Sequence, residues 1–390
     1  MGETSNGVLV NHLPSPTWNR LGVNRAFVNF ETLPEVEKTF EFTIENAEQI
    51  TIERKSTKEA VLFADSFSQG IRREATVAGK APIYQKQIFA TGMGAQYTDL
   101  VEKLVHKTDI LTVSENEKLE DAVILRWDFK KDGKAASQQI IHAKKNSSAT
   151  FLLIQESERE AKGHVAIETK VILEEGAKVN LIKVNMLGEG FVLMDDTAAV
   201  INEGADLEFT QMILGGEKTY TGCYADQAGD GAVFNVNTGY MANKEHLIDI
   251  NYVACERGEN CSSKIYVKGS LRDRAFKTFR GTIDFRRGSK NSVGDEQEDV
   301  LLLDEGVINK TMPVILTEEE DVDARHGATI GNLSPEVLFY MGSRGIDKHA
   351  AEMLITRGHL ISIANTIPDE DTVKKINLFI REAFDSNECF

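Results

Sequence analysis

Proline is scarce in this chain, with 7 in 390 residues and none between positions 120 and 310. A stretch free of residues that lack an N–H can keep a hydrogen-bonded ladder intact, so strands are admitted throughout it. Cysteine is scarcer still, limited to Cys223, Cys255, Cys261 and Cys389. No CxxC pair occurs and the Cys255–Cys261 spacing matches no common zinc site. A disulfide framework is not expected in a chain of this size. Cys255 closes an alternating stretch and reads as a small core residue, and Cys389 reads as a free thiol near the C-terminus. No apolar run approaches the ~20 residues that cross a bilayer, so no membrane partner is expected. The opening MGETSNGVLVNHLPSP lacks the basic start and apolar core of a secretory signal. Asn6 stands where a myristoylation signal wants Ser or Thr. Cytoplasmic residence is the resulting expectation. Walker A, GxSxG and HExxH patterns are missing, and Gly92-Met93-Gly94 is too short for a dinucleotide fingerprint. Any ATP hydrolysis would have to come from a partner.

Positive charge is also in deficit. The formal net charge of −17 excludes nucleic acid as the main partner, since phosphate binding needs clustered cations. The one basic stretch runs from Arg272 to Arg287, where Arg280 and Arg286 alternate with Phe279, Gly281, Ile283 and Phe285. It reads as a solvated strand face, with a docking surface for an acidic partner as the alternative. The acidic runs Glu296–Asp299 and Glu318–Asp323 read as solvating loops.

What the chain does have is repetition. SSATFLLI begins at Ser147, EGAKVNLI at Glu175, EGADLEFT at Glu203 and DGAVFNVN at Asp230. Aligning Ser148, Gly176, Gly204 and Gly231 gives steps of 28, 28 and 27 residues, with a degraded further corner at Gly258. Apolar residues recur after each corner: Phe151, Val179, Leu207 and Phe234, then Leu153, Leu181, Phe209 and Val236. Self-similarity at a fixed period marks a solenoid whose units bury their apolar faces by stacking. Within a unit the period is two, as in Val165, Ile167, Val171, Leu173 and again in Ile248, Ile250, Tyr252, which predicts strands with one inward face. The change of phase at Leu181-Ile182 predicts a corner. A parallel β-helix with two or three short strands per turn fits this pattern.

The flanks differ. Residues 1–115 form a mixed α/β or helical region, with a turn at Pro14/Pro16, an alternating segment near Thr39 and helices around Thr57–Ala75 and Ala95–Lys107. The β-helix core is assigned to 116–331 and a helical region to 332–390. Helices are predicted over Pro335–Arg344, Asp347–Arg357 and Asp369–Phe384. Ser334-Pro335-Glu336 forms the first N-terminus and Gly345 its stop. Val373, Ile376 and Ile380 give the last helix a docking face. Gly327 and Gly331 predict a tight corner at HGATIG, with His326 on the rim of the β unit.

The run DVDARHGATIGNLSPEVLFYMGSRGI, Asp321 to Ile346, carries a resemblance. His326-Gly327-Ala328-Thr329 with Gly331, Leu338-Phe339-Tyr340 and Ser343-Arg344-Gly345-Ile346 resemble the SufD branch of the SufB/SufD family, subunits of the SUF iron–sulfur cluster assembly machinery. WNRLGVN at Trp18–Asn24 is similar only loosely to the family's start. The resemblance implies a right-handed parallel β-helix with helical flanks. It also implies a non-enzymatic scaffold that pairs with a SufB-type chain and docks a SufC-type ATPase. A transient cluster would form at the SufB–SufD interface, and ATP would be used only through SufC. His326 is then the implied cluster-site ligand, a neutral imidazole being a competent iron donor. Phe339, Tyr340, Arg344 and Ile346 are the implied contacts to SufC, or else residues that pack the terminal helices onto the β-helix. The glycine after His326 separates this chain from the HEAT sequence of SufB, and Val307 stands near the place of SufB's assembly cysteine. Many SufD chains have cysteine where Ala324 stands here. Arg325, beside His326, would disfavour the imidazolium. The resemblance leaves flavin binding open. Two further readings stand beside it: a homodimeric family scaffold without a distinct paralogue, and a β-helix polysaccharide-active enzyme, which would want a secretory signal and a carboxylate cluster on one rung face. His349 and His359 read as surface residues.

Overall fold

Alternating sequence sets the strands and stacked corners close them. The computed structural model describes residues 7–17, 19–29, 40–68 and 89–385. In chain order, β1 (Gly7–Val10), β2 (Ala26–Asn29), β3 (Glu41–Glu45) and β4 (Thr51–Ser56) precede α1 (Thr57–Asp65) and α2 (Ala95–Leu104). Next come β5 (Lys107–Val113), β6 (Val123–Phe129), β7 (Gly133–Ala143), β8 (Ser148–Ser157), β9 (Lys162–Leu173), β10 (Lys178–Met186), β11 (Gly190–Ile201) and β12 (Asp206–Ile213). The run continues through β13 (Lys218–Gln227), β14 (Val233–Ala242), β15 (Leu247–Glu256), β16 (Ser262–Leu271), β17 (Phe276–Phe285), β18 (Ser292–Leu302), β19 (Ile308–Thr317) and β20 (Val322–Gly331). Helices α3 (Pro335–Ser343), α4 (Lys348–Ala364) and α5 (Glu370–Asp385) follow.

From β5 onward successive strands alternate between two 9-stranded sheets, ordered β20-β18-β16-β14-β12-β10-β8-β6-β3 and β19-β17-β15-β13-β11-β9-β7-β5-β4. Neighbours are parallel except β3 on β6 and β4 on β5, which are antiparallel. The molecule is therefore mainly β, a parallel solenoid with helices on its flanks. Inward side chains of both sheets, among them Leu125, Phe151, Leu181, Phe209, Tyr252 and Phe279, form one continuous core. Each such buried side chain contributes roughly 1.5–3 kcal/mol.

The corners explain the repeat. Asn116, Asn146, Gly176, Gly204, Gly231, Asn260 and Asn291 all have φ between 57° and 68°. Glycine and asparagine are the residues that tolerate this left-handed conformation. Asn146, not Ser148, is thus the counterpart of Gly176, and Asn260, not Gly258, continues the series. The sheet register agrees, setting Phe151 beside Leu181 and Leu181 beside Phe209. An alignment of Phe151 with Val179 is displaced by two residues, a slip invisible to a period of two.

Leu181-Ile182 is not a corner, since β10 runs unbroken across it. Leu181 faces the interior, and Ile182, Val184 and Met186 face outward into a second apolar layer under Leu360, Ile363, Ile376 and Ile380 of α4 and α5. A strand covered on both faces carries apolar residues on both. Val373 joins the edge of this layer, as the spacing of the last helix implies. Helix α4 continues past Arg357 to Ala364 because Leu360, Ile363 and Ala364 have a surface to bury, and Gly358 inside it meets open space.

The N-terminal segments cover the outer face of the other sheet. Met93, Tyr97 and Val101 pack on Ala166, Met194 and Tyr220. The Tyr97 hydroxyl donates to the carbonyls of Ile167 and Met194 at 2.9 Å each. Gly92 and Gly222 let the two backbones touch, since a Cβ on either would collide with the other chain segment. Asn11 donates to Asp249 Oδ1 at 2.6 Å. Arg280, 1% exposed, holds Asp249 at 2.6 Å and also donates to the Val23 carbonyl. Residues Arg272–Arg287 are accordingly not a solvated face. Lys277 and Arg280 are buried, Lys277 inside the solenoid and Arg280 beneath the N-terminal segment. Trp18, Cys389 and the 69–75 part of the first expected helix lie outside the described residues.

The two ends of the solenoid are unlike. At one, β3 and β4 are antiparallel edge strands, paired on one side only, and Phe40, Ile44 and Ile50 pack onto the core. Glu53, Arg54 and Lys55 put charge on that edge, a common guard against stray pairing. At the other, β19 and β20 each pair on one side only, and the core beneath is partly open. Pro313 sits in β19, an edge strand, where a missing N–H is tolerated.

Candidate functional site

His326 lies in the middle of β20, not in a turn. HGATIG is extended, and neither Gly327 nor Gly331 has a positive φ. Val322 and Ala324 on the same strand pack against the core. Side chains of a strand alternate, so His326 shares their inward side. It remains exposed because, among the described residues, no further strand lies above it. The imidazole therefore stands at the mouth of the solenoid. Arg325 turns to the opposite side and pairs with Asp323 at 2.7 Å.

The neighbouring strand supplies what the sequence reading missed. In register, Gly294, Glu296, Glu298 and Val300 of β18 lie beside Ala324, His326, Ala328 and Ile330 of β20. Glu296–Asp299 is thus not a solvating loop, for Glu296 and Glu298 point into the interior and are buried. Lys277 crosses from β17 to Glu298, which also accepts from Thr311 Oγ1 at 2.5 Å. Burial lowers the pKa of Lys277, and the Glu298 carboxylate opposes that shift. Glu296 has no such help. It is 2% exposed, its Oε2 has no hydrogen-bond partner among the described residues, and burial with the nearby Glu298 charge pushes its pKa up to about 8. The signal was present in the sequence: the period of two in β18 carries glutamates in its inward phase.

Helix α3 follows β20. Ser334 caps it, accepting from the Val337 N–H at 3.2 Å; Pro335 opens it, and Gly345, at φ 80°, follows it. Leu338, Met341 and Ile346 are half-buried, and no residue of the helix is fully buried. Phe339 is 79% and Tyr340 59% exposed, and the Arg344 guanidinium stacks 5.1 Å from the Tyr340 ring. Phe339 and Tyr340 do not serve to pack the terminal helices. His326 and the α3 residues form two separate surfaces, one at the mouth and one beside it.

Among the described residues, no thiol is available for chemistry at this end. Cys223, Cys255 and Cys261 are buried, and burial pushes each thiol up, Cys255 to about 12 and Cys261 to about 11. A sulfur acceptor works as the thiolate, so none of these is ready to act as one. Among the described residues no three His, Cys, Asp or Glu side chains converge as a metal-ligand set. His349 and His359 lie half-buried on α4, His349 against the Phe384 ring. Among the described residues no helix is long and apolar enough to cross a membrane.

A family model described as the SUF system FeS cluster assembly, SufBD core domain, matches residues 129–359. The iron–sulfur cluster assembly protein SufD of Bacillus subtilis is 26% identical over 282 residues, 72% of this chain and 64% of that protein. SufBD family proteins of Staphylococcus saprophyticus and Mycobacterium bovis are 24% and 25% identical over 213 and 207 residues. Those alignments cover 54% and 53% of this chain but 45% and 24% of the relatives. The chain thus spans less than two thirds of the length of each of these relatives.

Proposed function

Because this chain belongs to the SufBD core family of the SUF system, we propose that it is a SufD-like, non-catalytic scaffold subunit of iron–sulfur cluster assembly. In this reading the open end of the solenoid receives a SufB-type chain, and α3 docks a SufC-type ATPase. The observation that carries it is His326, inward-facing yet exposed between two half-paired edge strands. An imidazole held there can reach a cluster growing between two chains. In this reading the sulfur comes from the partner, and the burial and raised pKa values of the three described cysteines support it. Phe339 and Tyr340 offer rigid aromatic area beside an arginine, the composition of an interface hot spot. ATP enters only through the docked ATPase, and the cytosol is the compartment this work requires. The same half-paired edges support a second reading, a homodimer joined mouth to mouth.

Anaerobic reconstitution with SufB-type and SufC-type partners tests the proposal. His326→Ala should fold normally, capture both partners and form less cluster; an unchanged cluster yield removes His326 from the site. Phe339→Ala with Tyr340→Ala should lose capture of the ATPase while keeping the SufB-type chain. Equal ATPase capture would assign α3 another role.

A further inference from the structure

A carboxyl buried without a partner is costly, so a native one calls for an explanation. Glu296 is such a group, with Oε2 unbonded at 2% exposure. The buried Lys277 on β17 does not serve it, because it is committed to Glu298. Gly281, across the interior on β17, makes its space: a Cβ there would overlap the Glu296 carboxylate. The register then sets Glu296 directly beside His326 on the adjacent strand. Paired strands lie ~4.8 Å apart, and both side chains take the inward side.

We propose that Glu296 and His326 together hold one divalent cation of borderline softness, such as ferrous iron, at the mouth of the solenoid. This deepens the scaffold reading and rests on it for the cation's purpose. The donor set is suited to the charge: a carboxylate oxygen supplies the anion and a neutral imidazole nitrogen the second bond. A cation there also gives the buried carboxylate the counter-charge that no described side chain provides. Two donors do not complete a coordination sphere. The remaining positions fall to water in the free chain and to a partner's side chains in the complex. Metal would then be loaded on this subunit before sulfur arrives from the other.

Cobalt(II), read by visible absorption and by calorimetry on the purified full chain, tests the assignment without any cluster chemistry. The wild-type chain should take up one equivalent. Glu296→Gln and His326→Ala should each weaken uptake by about tenfold or more. Glu296→Gln keeps the shape and replaces a carboxyl that burial already holds largely protonated in the metal-free chain, so its thermal midpoint should not fall, which separates lost binding from lost folding. No uptake by the wild type, or equal uptake by Glu296→Gln, overturns the proposal. Capture of the SufB-type chain is scored in parallel on the same proteins. Failed capture by the wild type with normal cobalt uptake rejects the scaffold reading alone, and the converse rejects the cation site alone.

Discussion

At the residue scale, the charges with most consequence are those the sequence reading took for surface. Arg280 alternates with Phe279 and Gly281 just as a solvent-facing cation would, because alternation reports which side of a strand a residue occupies and not what covers that side. The cover comes from residues 7–17 and 19–29, far away in the chain, where Asn11 and the Val23 carbonyl meet Asp249 and Arg280. Removing one partner of a buried pair leaves the other uncompensated, so Arg280→Ala should cost ~3–5 kcal/mol in urea denaturation and expose the N-terminal segment to protease. A loss below ~1 kcal/mol would mean the latch is wet and weak. Glu256 makes a pH prediction. Burial raises its pKa from 4.5 to about 7, so the folded state keeps a proton that the unfolded chain gives up. Its contribution is full below pH 4.5 and is lost as pH rises through about 7. Thermal midpoints taken from pH 5 to 8 should fall less for Glu256→Gln than for the wild type; parallel curves would remove Glu256 as a source of the dependence.

At the scale of elements, local chemistry was legible and covering layers were not. The cap at Ser334-Pro335, the stop at Gly345 and the docking face of the last helix could be read directly, because each depends on neighbours within a few residues. The change of phase at Leu181-Ile182 was taken for a corner since an outer layer formed by α4 and α5 is not visible in a strand of nine residues. HGATIG was taken for a turn because its glycines suggest one; in β20 they are extended and a Cβ at either would meet nothing within 4 Å. Ile376, fully buried where α5 meets the sheet, should be sensitive: Ile376→Ala should cost ~2–5 kcal/mol by chemical denaturation, with α5 the first element to lose amide protection. A cost near zero would show that α5 is not an integral layer.

At the scale of the whole molecule, the solenoid was legible because a stacked fold writes its period into the chain. The corner series shows why the count was imperfect. Asparagine and glycine share the left-handed conformation, and a search keyed on glycine alone passes over Asn146 and Asn260. The site was half legible: the histidine stands out as a motif, whereas the glutamate beside it in space lies 30 residues earlier, one rung away. If the open end is a docking surface, Ile330→Lys, a change at an exposed position of β20, should leave the thermal midpoint unchanged within a degree or two (about 0.5 kcal/mol) and prevent association with a SufB-type chain or with a second copy. Association at wild-type strength would move the docking surface elsewhere.

The asymmetry of the two ends also limits how many bodies can line up along the axis. One terminus ends in antiparallel edge strands that carry charge, which disfavours a neighbour there and leaves the other as the receptive one. Once two such rods meet through their unguarded termini, no receptive edge is left on either. The stack is then finite by construction, stopping at a pair where an evenly exposed rod would polymerise into a fibre.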